Sequence, residues 1–177
     1  LKRHRGIVYC LVRRKNSEEP LARLKQKIVF YFGNEYYEKY KDRIQVIEGD
    51  IVERNFKLSK ENYELISKNI TTVINAGALV KHFGTSELFN KINVEGTQNV
   101  VDFCKEIQKR LIHISTISVS GIGEKEENIE ETEENINNKK IFKENTLYIE
   151  QNISGIYTVT KYKAEMIVLR AIEEGLD

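Results

Sequence analysis

The chain has no tryptophan, one proline, one methionine, two cysteines and three histidines in 177 residues. These scarcities narrow the chemistry. Cys10 and Cys104 are far apart and outside any C-x-x-C spacing; two cysteines could in principle form one disulfide. Both sit in apolar surroundings, IVYCLV and VVDFCKEI, and read as free buried thiols of a reducing cytoplasm. His4, His82 and His113 lack ligand spacing, which argues against a metal hydrolase, and no metal is expected. His113 falls inside an apolar run and reads as a packed core histidine. Charge of one sign is also missing. Lys and Arg total 28, Asp and Glu 27, so nothing directs the chain to nucleic acid or an anionic membrane. No apolar run approaches the ~18 residues of a membrane span. No secretory leader is present, and a cytoplasmic protein is expected.

What the chain does have is apolar content, 40% of its residues, enough for one α/β domain with a sizeable core and too little length for two domains. Four apolar, β-branched segments read as buried parallel strands: Gly6–Val12, Ile44–Asp50, Thr71–Gly77 and Arg110–Thr116. Amphipathic segments lie between them. Leu21–Tyr31 spaces Leu21, Leu24, Ile28 and Tyr31 along one face. Ser59 suits a helix N-cap, although Asn62 cannot complete a capping box. Phe83–Gln108 carries Leu88, Ile92, Val100, Phe103 and Cys104, and Ile156–Ile172 carries Tyr157, Ala164, Ile167, Val168 and Ala171. This alternation predicts parallel strands joined by right-handed crossovers, hence a doubly wound α/β sheet. The acidic stretch Glu124–Lys140 breaks the pattern and reads as a solvated loop, with a lid or partner-docking element as the alternative.

In an open parallel sheet, ligands sit beyond the carboxyl ends of the strands. After the first strand come Arg13, Arg14 and Lys15. Arginines there suit the 2′-phosphate of NADP, and equally a solvated basic turn. After the second come Asp50 and Ile51, an acceptor for the adenine amine and an apolar cover for its ring. After the third, Asn75, Ala76 and Gly77 allow close approach of backbone to a cofactor, or simply a turn. After the fourth, Ser115, Thr116 and Ser118 cluster hydroxyls. All four sets fall at one edge of the predicted sheet.

A fifth signal is Tyr157 and Lys161 in SGIYTVTKYKAE. Nine Tyr and 19 Lys among 177 residues give about one Y-x-x-x-K match by chance, and the chain has two. Chemistry separates them. Residues i and i+4 share a helix face. An ammonium beside a phenol favours the phenolate and brings it toward useful proton transfer. Tyr157 also has a hydroxyl partner, Thr116, at a strand end. Tyr37 and Lys41 have none and read as a solvated helix end.

The stretches YCLVRRK, VIEGDIVERNFKLS, VINAGALVKHFG, KINVEGTQNVVDFC, LIHISTISVSG and YTVTKYKAE occur in the order found in the extended short-chain dehydrogenase/reductase superfamily. More specifically the chain resembles the thioester reductase domains that end some nonribosomal peptide synthetases. Those are related to carboxylic acid, aminoadipate and fatty acyl-CoA reductases. The resemblance implies a Rossmann-like NAD(P)-binding fold, with Thr116, Tyr157 and Lys161 as the catalytic set. Arg13 and Arg14 would hold the 2′-phosphate and so favour NADPH. Asp50 and Ile51 would contact adenine. Asn75, Ala76, Gly77 and Lys161 would line the cofactor, and Asn93 would help organise the site or serve as a structural hydrogen-bonding group. The implied reaction is NADPH-dependent reduction of an acyl or peptidyl thioester to an aldehyde, or after a second hydride to an alcohol. The implied partner is a phosphopantetheinylated carrier protein. An extended reductase or epimerase acting on a nucleotide sugar, and a non-catalytic dinucleotide-binding module, are the alternatives.

The Gly-rich loop of that superfamily, and the strand before it, have no counterpart between Leu1 and Asp177. Nor does the substrate region beyond the Tyr-Lys helix. Residues 1–177 therefore read as a partial NAD(P)-binding domain, with both ends looking like cuts through a longer protein. In the order 3-2-1-4-5-6 the missing strand lies between the first and third strands of this chain. That loop binds pyrophosphate at a helix N-terminus. The 177-residue chain on its own is thus expected to bind NADPH weakly and to be inactive. Titration of NADPH against the isolated chain checks this, and micromolar affinity would contradict it.

Overall fold

The computed structural model describes residues 1–3, 5–15, 17–81, 83–121 and 151–177. His4, His82 and the acidic stretch Glu124–Lys140 lie outside the described residues. The four expected strands are present as β1 (Val8–Val12), β2 (Ile44–Glu48), β3 (Thr72–Asn75) and β4 (Arg110–His113). Each is shorter than its apolar run: β1 begins two residues late, whereas in β2, β3 and β4 the last residues of the run leave the ladder to form the loops at the sheet edge. His113 is the last residue of β4 and is half-buried, so it is not a fully buried core residue.

β1 runs parallel to β2, with Val8 opposite Ile44 and Val12 opposite Glu48. β3 runs parallel to β4, with Thr72 opposite Arg110 and Asn75 opposite His113. Among the described residues no ladder joins the two pairs, so the strands form two parallel ribbons. This is the pairing of an order in which β1 and β3 are not neighbours.

The helices follow from local chemistry. Helix α1 (Pro20–Phe32) opens on proline, whose missing N–H has no partner to lose in a first turn. It stops at Gly33, at φ 85°, and α2 (Asn34–Tyr40) follows. Ser59 caps α3 (Lys60–Asn69), its hydroxyl accepting from the Asn62 amide at 3.3 Å. The helical run expected from Phe83 begins later, at Ser86. Thr85 caps it by accepting from the Leu88 amide, and Phe83 is left outside the helix and exposed. The run comprises α4 (Ser86–Phe89), a π-helical segment Asn90–Glu95 and α5 (Gly96–Ile107). The last helix is α6 (Ile156–Glu173).

The core gathers Ile47 from β2, Ile66 from α3, Val100, Phe103 and Cys104 from α5, and Phe56. Phe103 meets Phe56 edge-on at 5.1 Å and Tyr63 at 5.4 Å. Phe56 is the unusual member. It sits in a turn where Asn55, Phe56 and Lys57 have φ of 50°, 56° and 55°. Such a conformation costs roughly 1–2 kcal/mol per non-glycine residue. Burial of the Phe56 ring returns about 2–3 kcal/mol, and its backbone is held at both ends, donating to Glu53 O and accepting from Asp50 N, each at 2.9 Å. Gly49 is required beside this turn, since a Cβ there would lie 2.6 Å from Phe56 O. The turn thereby fixes Asp50 and Ile51 where the second strand ends. Both cysteines are free, and burial pushes the Cys104 thiol up to about 12, so it is inert packing material.

Candidate active site

Lys161 is a lysine with 2% of its surface exposed, facing inward from α6. Its ammonium nitrogen donates to Ile114 O at 2.7 Å, two residues before Thr116. The Nε2 of His113 lies 3.4 Å away. Burial pulls the Lys161 pKa below its usual value, against an opposing pull from Glu165 one turn on. Burial and the Lys161 charge bring His113 down to about 4. The sequence spacing predicts Lys161 on the helix face of Tyr157, and the structure shows the lysine seated on a strand-end carbonyl.

A polar chain continues from this pair into the domain. His113 Nδ1 is 3.2 Å from the Asn75 side-chain nitrogen. The same Asn75 nitrogen donates to Thr97 Oγ1 at 3.4 Å, and Thr97 donates to Asn93 O at 2.7 Å. Asn93 is 1% exposed. Its oxygen accepts from Leu79 N at 2.7 Å, and its nitrogen donates to Thr160 Oγ1 at 3.0 Å and Leu79 O at 3.3 Å. Thr160 in turn donates to the carbonyls of Ile156 and Tyr157, each at 2.9 Å. The first turn of α6, which carries Tyr157, is therefore braced through Thr160 and Asn93 against the loop after β3. The π-helical segment matters here, because Asn93 belongs to it. The wider turn changes which residues face the interior, and both Asn93 and Thr97 end up there.

Thr116 stands three residues beyond β4 as the N-cap of a 3-10 turn, Ile117–Ser120. Its hydroxyl accepts from Ser118 N and donates to Ser118 Oγ, both at 3.3 Å. Helix α6 packs against that turn. Ser115 Oγ is buried without a hydrogen-bond partner among the described residues. The other Tyr-Lys match is different. Lys41 pairs with Glu38 at 2.8 Å, and Tyr37 is buried beneath Lys25, whose ammonium is 4.9 Å from the ring centre. It is a local packing arrangement, with Tyr37 buried rather than solvated.

The remaining strand ends divide. Asn75 turns inward, where its oxygen accepts from Gly77 N at 3.2 Å, while Ala76 and Gly77 are exposed. Ile51 fills the space above two glycines: a Cβ on Gly77 would lie 3.1 Å from its Cδ1, and one on Gly96 3.3 Å from its branch carbons. Asn99 donates to Ile51 O at 2.9 Å. Asp50 accepts from Val52 N and pairs with Arg13 at 3.6 Å. Arg13 is 59% exposed in its side chain. Arg14 is committed elsewhere. Its guanidinium grips Glu48 at 2.8 and 2.7 Å and Glu19 at 2.6 and 3.2 Å, and these carboxylates raise its pKa further. Thr97, Thr160 and the two glutamates were not singled out by sequence reasoning, and His113 reads there only as packing. The i, i+4 spacing of Asn93 and Thr97 is the signal that bears on two of the buried partners.

Asn93→Ala is expected to lower the stability of the domain by about 2–3 kcal/mol, because the buried Leu79 amide and Thr160 hydroxyl lose their partner. Urea unfolding of the intact protein checks this, and an unchanged midpoint would show that the bridge is dispensable.

The family described as Male sterility protein, an NAD-binding family, matches residues 1–177. A linear gramicidin synthase from Brevibacillus parabrevis is 28% identical over 171 residues, covering 96% of this chain and 3% of that protein. Fatty acyl-CoA reductase wat of Drosophila melanogaster is 30% identical over 116 residues, covering 63% of this chain and 22% of that protein. Among solved structures, a thiolation-reductase di-domain from an archaeal non-ribosomal peptide synthetase is 31% identical with a TM-score of 0.77, covering 99% of this chain and 35% of its own. The terminal R domain of the myxalamid PKS-NRPS biosynthetic pathway is 28% identical with a TM-score of 0.76, covering 95% of this chain and 40% of its own. The chain thus spans between 3% and 40% of the length of these proteins. The parallel α/β arrangement is that of Rossmann-like NAD(P)-binding reductase domains. With its whole length matched, the chain belongs to the NAD-binding male sterility protein family.

Proposed function

We propose that the protein carrying this chain reduces an acyl or peptidyl thioester, borne on the phosphopantetheine arm of a carrier protein, to an aldehyde. The observation that carries this reading is the seating of Lys161, buried on Ile114 O, two residues from Thr116 and one helical turn after Tyr157. The reductase domains among the similar structures support the reaction class, and the thiolation-reductase di-domain supports a carrier-protein partner.

The residues at the strand ends fit a nicotinamide dinucleotide. Ala76 and Gly77 present an open backbone, Lys161 has N–H groups beyond the one given to Ile114, and Ser115 Oγ, next in sequence to Ile114, has no hydrogen-bond partner among the described residues. Asp50 and Ile51 would meet the adenine end. Arg13 would meet a 2′-phosphate, which makes NADPH the preferred form. Arg14 supports that site indirectly, because its guanidinium is already held by Glu19 and Glu48. When bound, NADPH supplies the hydride.

The chain's own residues handle the oxygen and the proton. Thr116 and Tyr157 donate to the thioester carbonyl oxygen as negative charge develops on it. Tyr157 then gives up its phenolic proton, and the Lys161 ammonium stabilises the phenolate left behind. Loss of the thiol from the tetrahedral adduct frees the aldehyde.

Tyr157→Phe is expected to cut thioester-dependent NADPH oxidation by about 10²–10⁴-fold, the usual contribution of a positioned proton donor, with cofactor affinity little changed. Steady-state kinetics and a cofactor titration on the intact protein check both. Undiminished turnover would remove Tyr157 from the mechanism.

A further inference from the structure

The polar chain behind Lys161 has a direction, and the direction fixes a tautomer. The Gly77 amide donates to Asn75 Oδ1 at 3.2 Å, which turns the Asn75 nitrogen toward Thr97 and His113. The Thr97 hydroxyl gives its own proton to Asn93 O, so its oxygen is free to accept from Asn75. The second Asn75 N–H then points at His113 Nδ1, which must accept. A neutral imidazole has one N–H, and here it falls on Nε2. That nitrogen is 3.4 Å from Lys161 Nζ. An N–H facing an ammonium sets donor against donor, whereas the lone pair of a neutral amine can accept it. Ile114 O accepts from either form of the lysine.

We propose that His113 is a positioning residue for Lys161: locked by Asn75 as the Nε2–H tautomer, it seats the lysine on the Ile114 carbonyl and weakens the hold of the ammonium on its proton, so that the ammonium serving Tyr157 can exchange that proton within the working pH range. The groups around the pair agree with this. Among the described residues, the charged group that acts on Lys161 is Glu165, on its own helix, and it favours the ammonium. Tyr157 lies one turn earlier. The polar neighbours from β3, the π-helical segment and α5 are Asn75, Asn93 and Thr97, and none of them titrates. The 3-10 turn Ile117–Ser120 contributes no ionisable group. Burial and the lysine charge hold His113 neutral, at about 4, as the locked tautomer requires.

Two variants in the full protein separate the parts of this arrangement. His113→Gln puts an amide at the Nε2 position whose oxygen can turn to the ammonium. His113→Asn reaches only the Nδ1 side, keeping a partner for Asn75 and removing the N–H that faces Lys161. The first readout is competitive acetylation of lysines with acetic anhydride across pH, followed by mass spectrometry of the peptide holding Lys161. In the wild type the Lys161 midpoint is expected below that of exposed lysines such as Lys68. In both variants it is expected to rise, by about one pH unit in His113→Gln. The second readout is the alkaline limb of the kcat/KM profile, which is expected to move the same way. This kinetic readout rests on the proposed reductase role, whereas labelling does not. If labelling behaves as stated and no thioester is reduced, the reductase reading fails alone. An identical Lys161 midpoint in all three proteins overturns the inference. So does a wild-type midpoint equal to that of exposed lysines, even if neither variant folds.

Discussion

A buried amine on a strand-end carbonyl organises this domain. Lys161 has lost nearly all contact with water and retains one strong hydrogen bond, to Ile114 O at 2.7 Å. Removing an ammonium from water is costly unless it is matched by such partners. That bond fixes α6 against the end of β4, and so fixes Tyr157 relative to Thr116. Asn93 does the equivalent work one turn away, tying the α6 backbone through Thr160 to the loop after β3. Two polar anchors, one a lysine and one an asparagine, set the spacing that any proton transfer at this edge depends on.

The opposite pair of strands builds a separate surface by different means. There the organising contacts are ionic and exposed: Arg14 between Glu19 and Glu48, and Arg13 beside Asp50. Exposed pairs contribute little stability, but they decide which guanidinium is available. Arg14 is saturated by carboxylates, and Arg13 keeps most of its side chain in solvent. The left-handed turn around Phe56 holds Asp50 and Ile51 on the same edge, and Ile51 packs over Gly77 and Gly96, linking the two strand pairs through a side chain rather than a ladder.

Much of this was legible in the sequence because it is local or periodic. Four β-branched runs gave four strands, Ser59 gave a helix cap, and the strand-end residues fell at a common edge because parallel strands share a direction. The register places Asn75 opposite His113, so the two ends that carry the buried polar chain are adjacent by topology. What stayed hidden was long-range. Nothing local in NKINVE marks a π-helical turn. The burial of Tyr37, the grip of Glu48 on Arg14 and the contacts of His113 each depend on partners distant in sequence. A histidine ending an apolar run looks like packing until its two ring nitrogens are seen to face Asn75 and Lys161.

The most direct test of hydride delivery at this edge is isotopic. The intact protein is given a carrier-bound acyl thioester and NADPH deuterated at both C4 positions, and the released product is analysed by mass spectrometry. An aldehyde carrying one deuterium on its carbonyl carbon, or an alcohol carrying two, is the predicted result. Release of the free acid, or of an aldehyde without deuterium, would contradict it.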